Sequence, residues 1–280
     1  MDLRTAIRLR RSVRRYAPRP VPGGLLDRLA SIAQDADHHL VRPGVRVGRV
    51  DGRERVADVL ARYAGVYGLV HGAPHLLVGL IPEDTPEHRI DVGYVLERVV
   101  LEATRLGLAT CWMTGSYRPD RAARAIPLRM GERVAAVVAL GYARADPMAR
   151  LHDAVVRRVV AGHRRLSLTE IVFAGRWGVA WSPEGADPAL VEVLECARLA
   201  PSARNRQPWR FVVEGKTIHL ALTASAPIDA GIVMAHIALV GQEVGLVGRW
   251  RLRWADGALA RQLRSPPSTV VVGTFCGQYR

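Results

Sequence analysis

Three patterns recur along this chain at one spacing. Asp91-Val92-Gly93-Tyr94 returns as Asp229-Ala230-Gly231-Ile232, Gly107-Leu108 as Gly245-Leu246, and Trp112 as Trp250, each 138 positions further on. A register kept over so long a span is what a duplicated unit leaves behind, and it predicts two similarly built halves. Strand-like runs agree with it. Val134 to Gly141 forms one near the end of the first half, and Thr269-Val270-Val271-Val272-Gly273 answers it near the end of the second.

With 280 residues, 49% of them hydrophobic, the chain can bury a sizeable core in one large domain or two ordinary ones. No apolar run is long enough to span a bilayer. Cys111, Cys196 and Cys276 are odd in number and lack paired spacing, so neither a disulfide framework nor a zinc site is expected, and all three read as reduced core thiols. The net charge of +14 comes almost entirely from arginine, with Lys216 the single lysine. The arginines are spread over every segment, without a helix-turn-helix, zinc finger or aromatic RNA-binding signature, so nucleic acid is not the expected partner. A basic surface still favours anionic ligands. The start, Met1 to Arg15, is basic and amphipathic like a transit peptide, but it also carries a patterned motif, and the expected location is cytoplasmic.

In chain order, Leu3 to Leu9 predicts a short amphipathic helix leading into Arg10-Arg11-Ser12-Val13-Arg14-Arg15-Tyr16. Clustered guanidinium groups with a hydroxyl suit a phosphate dianion, because arginine offers paired donors in a planar fork. The blander reading is a solvated basic helix end. A helix with Leu25, Leu26, Leu29 and Ile32 follows, then Ala36-Asp37-His38-His39-Leu40-Val41, read as a solvated loop rather than a metal site. Next come a strand around Gly44 to Val50, a helix around Arg53 to Tyr67 and a strand from Pro74 to Ile81. A helix apolar on most faces runs from Asp91 to Leu106 and ends at Gly107. After it, Trp112-Met113-Thr114-Gly115 reads as a compact turn whose amides could approach a ligand, or as simple core packing.

The second half opens on a helix from Pro188 to Leu199, with Leu190, Val193, Leu194 and Ala197 at helical spacing, stopped by Pro201. The loop Pro201-Ser202-Ala203-Arg204-Asn205-Arg206-Gln207-Pro208-Trp209 follows, and Trp209 to Val213 reads as a strand.

This loop resembles that of the nitroreductase family of flavoproteins, whose members carry a P-S-x-x-N-x-Q-P-W loop after such a helix. Pro201, Ser202, Asn205, Gln207, Pro208 and Trp209 all match. The Arg-Ser stretch near the start, the Gly-Leu-rich stretch from Gly107 to Gly115 and the segment from His163 to Phe173, similar to the family's C-terminal arm, extend the likeness over nearly the whole chain. Their order is unusual, since family members place the Pro-Ser-Asn loop soon after the Arg-Ser stretch. Here Asp37-His38-His39 stands in that position.

The resemblance implies an α+β, nitroreductase-like fold in two pseudo-symmetric halves that imitate the family's intertwined homodimer: residues 1–177, a linker over 178–187, and a shorter half over 188–280. The first half keeps the Arg-Ser stretch and the Gly-Leu-rich turn. The second keeps the loop, with Gly175-Arg176-Trp177-Gly178 where the Arg-Ser stretch would be. One composite FMN site is therefore expected. In it, Arg10, Arg11, Ser12 and Arg14 would hold the phosphate and ribityl chain, with Arg164 or Arg165 joining from the arm. Pro201, Ser202, Ala203 and Asn205 would close the other side. Trp112, Met113, Thr114 and Gly115 would lie beside the isoalloxazine, with the Thr114 or Gly115 amide near the N5 edge. The lysine that several members place near the flavin pyrimidine has no counterpart in Tyr63 to Leu69.

The activity implied is NAD(P)H-driven reduction of an electron-poor small molecule by ping-pong hydride transfer, with no side chain acting as acid or base and no metal. The chain itself would be a monomer acting as a pseudo-dimer. A flavin-dependent dehydrogenase or oxidase, and a flavin-binding protein without turnover, are the alternatives. No G-x-G-x-x-G stretch suggests a separate dinucleotide domain.

Overall fold

The computed structural model describes residues 1–41, 44–60, 70–147, 151, 154–156, 158 and 164–279. The expected helical continuation to Tyr67, the Tyr63 to Leu69 stretch and His163 lie outside them. The chain divides into two compact units, Met1–His163 and Arg164–Arg280.

The first unit begins with α1 (Leu3–Leu9), capped by Asp2, whose carboxylate accepts the Thr5 amide at 2.8 Å. Then come α2 (Gly23–Gln34), β1 (Arg46–Asp51), α3 (Arg53–Leu60), β2 (His75–Ile81), α4 (Pro86–Arg105), β3 (Ala109–Met113), α5 (Pro119–Ala125) and β4 (Arg133–Gly141). The sheet runs β1-β2-β4-β3, antiparallel throughout. Helix α4 starts earlier than its apolar pattern suggests, because Thr85 caps it and Pro86 occupies its first turn. It ends where expected, with Gly107 at φ 77°. The helix closes on the sheet at Gly79, where a Cβ would stand 2.7 Å from Val92 Cγ1. The sheet's other face carries an apolar cluster of Val13, Tyr16, Val78, Cys111, Met113, Val137 and their neighbours from α3 and α5.

The second unit begins with the arm: α6 (Leu168–Ile171) and β5 (Val172–Ala174). A capping box starts α6, with the Ser167 amide donating to Glu170 Oε2 at 2.7 Å. Residues 164–177, grouped by sequence with the first half, pack here because β5 pairs in parallel with the strand after the Pro-Ser-Asn loop, Val172 opposite Phe211. The rest is α7 (Pro188–Arg198), β6 (Trp209–Glu214), β7 (Thr217–Leu222), α8 (Pro227–Val244), β8 (Leu246–Leu252), α9 (Gly257–Gln262) and β9 (Val270–Tyr279). Its sheet runs β5-β6-β7-β9-β8.

Apart from β5, the two sheets have the same strand order and the same antiparallel pairing. Each has a register shift just before the end of its second strand, between Gly79 and Leu80 on β2 and between Leu220 and Ala221 on β7. Trp112 stands opposite Val138, and Trp250 opposite Phe275. Counted from these tryptophans, the cross-strand pairs Cys111–Ala139 and Met113–Val137 correspond to Arg249–Cys276 and Arg251–Thr274. The first set is buried in the apolar cluster; in the second, Arg249, Arg251 and Cys276 are exposed. Cys276 is thus a surface thiol rather than the core thiol expected, unlike the buried Cys111 and Cys196. It falls on the face of β9 that the arginines of β8 leave open to water.

Candidate functional site

In the first unit the Arg-Ser stretch leaves α1 and lies along the outer edge of β3. Ser12 pairs in parallel with Thr110, and the Val13 amide donates to the Thr110 carbonyl at 3.0 Å. Val13 and Tyr16 turn into the core, where the Tyr16 hydroxyl donates to the Ala139 carbonyl at 3.2 Å. That anchoring leaves Arg10, Ser12 and Arg14 half-buried and Arg11 exposed beside the strand. Strand β3 then delivers Trp112, Met113, Thr114 and Gly115. The Met113 side chain joins the core, so its contribution to a ligand is through the backbone, whereas Thr114 and Gly115 are exposed. A Cβ placed on Gly115 meets nothing within 4 Å. The Trp112 indole donates to Glu97 Oε2 at 2.7 Å.

In the second unit the Pro-Ser-Asn loop is a short 3-10 turn (Ala203–Asn205) with Arg204, Asn205 and Gln207 all in the left-handed region, at φ 54°, 55° and 49°. Non-glycine residues in that conformation cost energy, which side-chain bonds around the loop must offset. Ser202 Oγ accepts the Gln207 amide at 2.9 Å. Buried Gln207 accepts the Leu166 amide at 3.0 Å and donates to the Arg164 carbonyl at 3.2 Å. The Asn205 side chain donates to the same carbonyl at 2.8 Å and accepts from Arg165 at 3.0 Å, while Arg165 also donates to the Ala200 carbonyl at 2.9 Å. Arm and loop are therefore one assembly. Of the two arm arginines, Arg165 is engaged in this assembly and Arg164 is exposed. Pro201 is buried; Ser202 is half-buried and Ala203 exposed.

Sequence reasoning did not place Asp229 at the loop. It sits in the first turn of α8, and both its carboxylate oxygens accept the Ala203 amide at 3.2 Å. Burial pushes its carboxyl up to about 6, against the opposing pull of the Ala203 amide and the Arg206 charge. Its counterpart, Asp91 of α4, accepts the Leu40 amide at 2.6 Å and the Val45 amide at 3.3 Å, and pairs with His39 at 3.0 Å. His39 is therefore not part of a solvated loop: a carboxylate distant in sequence holds it inside the unit. The same aspartate thus pins the segment that follows α2 in one unit and α7 in the other. That segment is Asp37-His38-His39-Leu40 in the first and the Pro-Ser-Asn loop in the second. The 138-residue echo was the signal that could have found both aspartates.

Among the described residues no cluster of His, Cys, Asp and Glu could hold a metal, and no helix is long and apolar enough to cross a membrane.

The family described as "Putative TM nitroreductase" matches residues 2–241. A Thermotoga maritima protein described as a "putative nitroreductase" has a similar structure, at 20% identity, with a TM-score of 0.62, covering 99% of this chain and 93% of that one. An FMN-bound nitroreductase of Bacteroides fragilis aligns with 51% of this chain and 89% of its own at 20% identity, with a TM-score of 0.43. An uncharacterised 15.4 kDa protein of Mycolicibacterium smegmatis is 30% identical over 146 residues, 48% of this chain and 94% of that relative. The family match over most of the chain, with the nitroreductase-like α+β fold around it, identifies this protein as a member of that nitroreductase family.

Proposed function

We propose that the protein is an FMN-dependent oxidoreductase with one cofactor site per chain. The observation that carries this reading is the placement of the Arg-Ser stretch along β3, which brings Arg10, Arg11, Arg14 and the Ser12 hydroxyl to the strand that ends in the open Thr114-Gly115 turn. The donor set fits the group: a phosphate dianion takes paired guanidinium donors, and the bare Gly115 leaves room for a flat ring beside the backbone.

Arg10, Arg11, Ser12 and Arg14 would hold the FMN phosphate and ribityl chain. In the second unit, Asn205 fixes the Pro-Ser-Asn loop to the arm. Trp112, Met113, Thr114 and Gly115 would lie beside the isoalloxazine, with the Thr114 or Gly115 amide as the group to interact with its N5 edge. FMN, when bound, would supply hydride chemistry between NADH or NADPH and an electron-poor nitroaromatic, quinone or activated alkene. The chain orients the ring and keeps one face open, with no side chain taking or giving a proton.

The matching strand order, the matching register shifts and the paired aspartates Asp91 and Asp229 support descent of both units from one duplicated ancestor, so that the chain works as a pseudo-dimer without a second subunit. The second site is lost, because the second unit has no Arg-Ser stretch along β8 and presents exposed Arg249 and Arg251 where the first unit buries Cys111 and Met113.

Purified full chain should release close to one FMN on denaturation, and anaerobic NADH or NADPH should bleach the bound flavin. Two FMN per chain would overturn the single site. No FMN after reconstitution would overturn the oxidoreductase reading.

A further inference from the structure

Glu97 is an acidic side chain with no exposed surface, midway along α4 among Leu96, Val100 and Leu101, which are equally buried. Removing a carboxylate from water is costly unless well-placed bonds compensate. One such bond comes from the Trp112 indole, at 2.7 Å.

The second unit shows that the fold does not need an acid for this purpose. Trp250 occupies the same ladder position as Trp112, and its indole donates at 3.0 Å to the main-chain carbonyl of Met234. The residue 138 positions after Glu97 is Ala235, fully buried. The same tryptophan is thus satisfied by backbone in one unit and by a buried acid in the other. The acid stands in the unit that carries the Arg-Ser stretch and the open Thr114-Gly115 turn.

We propose that Glu97 is a positioning residue for the flavin site, fixing the Trp112 indole on the strand that enters the Thr114-Gly115 turn. This rests on the FMN reading above. The side-chain acceptor on α4 ties the indole, and with it the last residues of β3 before the turn, to the helix.

The test uses the full chain with FMN, comparing wild type, E97Q, E97A and W250F. FMN affinity is read by titration, and tryptophan packing by near-ultraviolet circular dichroism. E97Q keeps an acceptor for the indole, so affinity should stay within about twofold, with the tryptophan signal retained. E97A leaves the indole without that acceptor, and FMN should bind roughly tenfold more weakly, with an altered tryptophan signal. W250F removes the equivalent indole from the other unit and should leave affinity unchanged. A loss of affinity in E97Q as large as in E97A, or an unchanged affinity in E97A, would overturn the proposal. Failure of the wild type to bind FMN would instead overturn the reading on which it rests.

Discussion

Asp229 holds the Ala203 amide with both carboxylate oxygens, each at 3.2 Å, and so ties the start of α8 to the Pro-Ser-Asn loop. Its burial sets a pH dependence. The folded carboxyl is pushed up to about 6, above its ordinary value of 3.8, so the folded chain takes up this proton first. The stability this group contributes is present below the unfolded value and is lost as pH rises through about 6, a change of at most about 3 kcal/mol. D229N keeps an acceptor for Ala203 and removes the charge. Urea midpoints should show D229N gaining on wild type as pH rises from about 4 to about 7. A gap of constant size across that range would contradict the assignment.

Arg165 joins arm to loop through Ala200 and Asn205. R165L should cost about 1.5–3 kcal/mol, the range for bonds to a charged donor. Hydrogen exchange should locate the loss, with the Leu166 amide, held by Gln207, exchanging roughly tenfold faster or more. Unchanged exchange there would mean that the arm is held by other contacts.

R10Q combined with R14Q should lower FMN occupancy of the purified chain. The residual affinity should depend less on salt than that of wild type, because fewer charges contact the phosphate. Titrations at low and high salt check this; equal salt slopes would remove these arginines from the phosphate site.

Gly79 lets α4 approach β2. In G79V the added carbon would meet Val92 Cγ1 at 2.7 Å and Leu96 Cδ1 at 3.0 Å. Thermal or urea unfolding should therefore register a loss of about 1–3 kcal/mol. A variant as stable as wild type would show that α4 can shift without penalty.

Much of the fold was legible because its elements carry clean periods. Leu190, Val193, Leu194 and Ala197 mark α7, and the runs ending at Ile81 and Gly141 mark β2 and β4. The start of α4 was hidden because its first turn holds Glu87, His88 and Arg89, and its apolar pattern begins only at Ile90. Strand β9 runs on to Tyr279, past the expected end at Gly273, and its continuation carries exposed Cys276 and Gln278, which interrupt the apolar run. For the candidate site, the motif residues were legible but their bonds were not. Nothing in the spacing shows that Asn205 bonds the arm, that the Met113 side chain turns inward, or that His39 finds Asp91, 52 positions away.

The contrast between buried Cys111 and Met113 and exposed Arg249 and Arg251 bears on how such a chain can change. In a homodimer every substitution is made twice, so a surface cannot become basic in one copy while its twin stays oily. Two units written in one chain are free of that constraint: each position changes once, so one unit can bury cysteine and methionine where the other exposes arginine, and asymmetry becomes heritable.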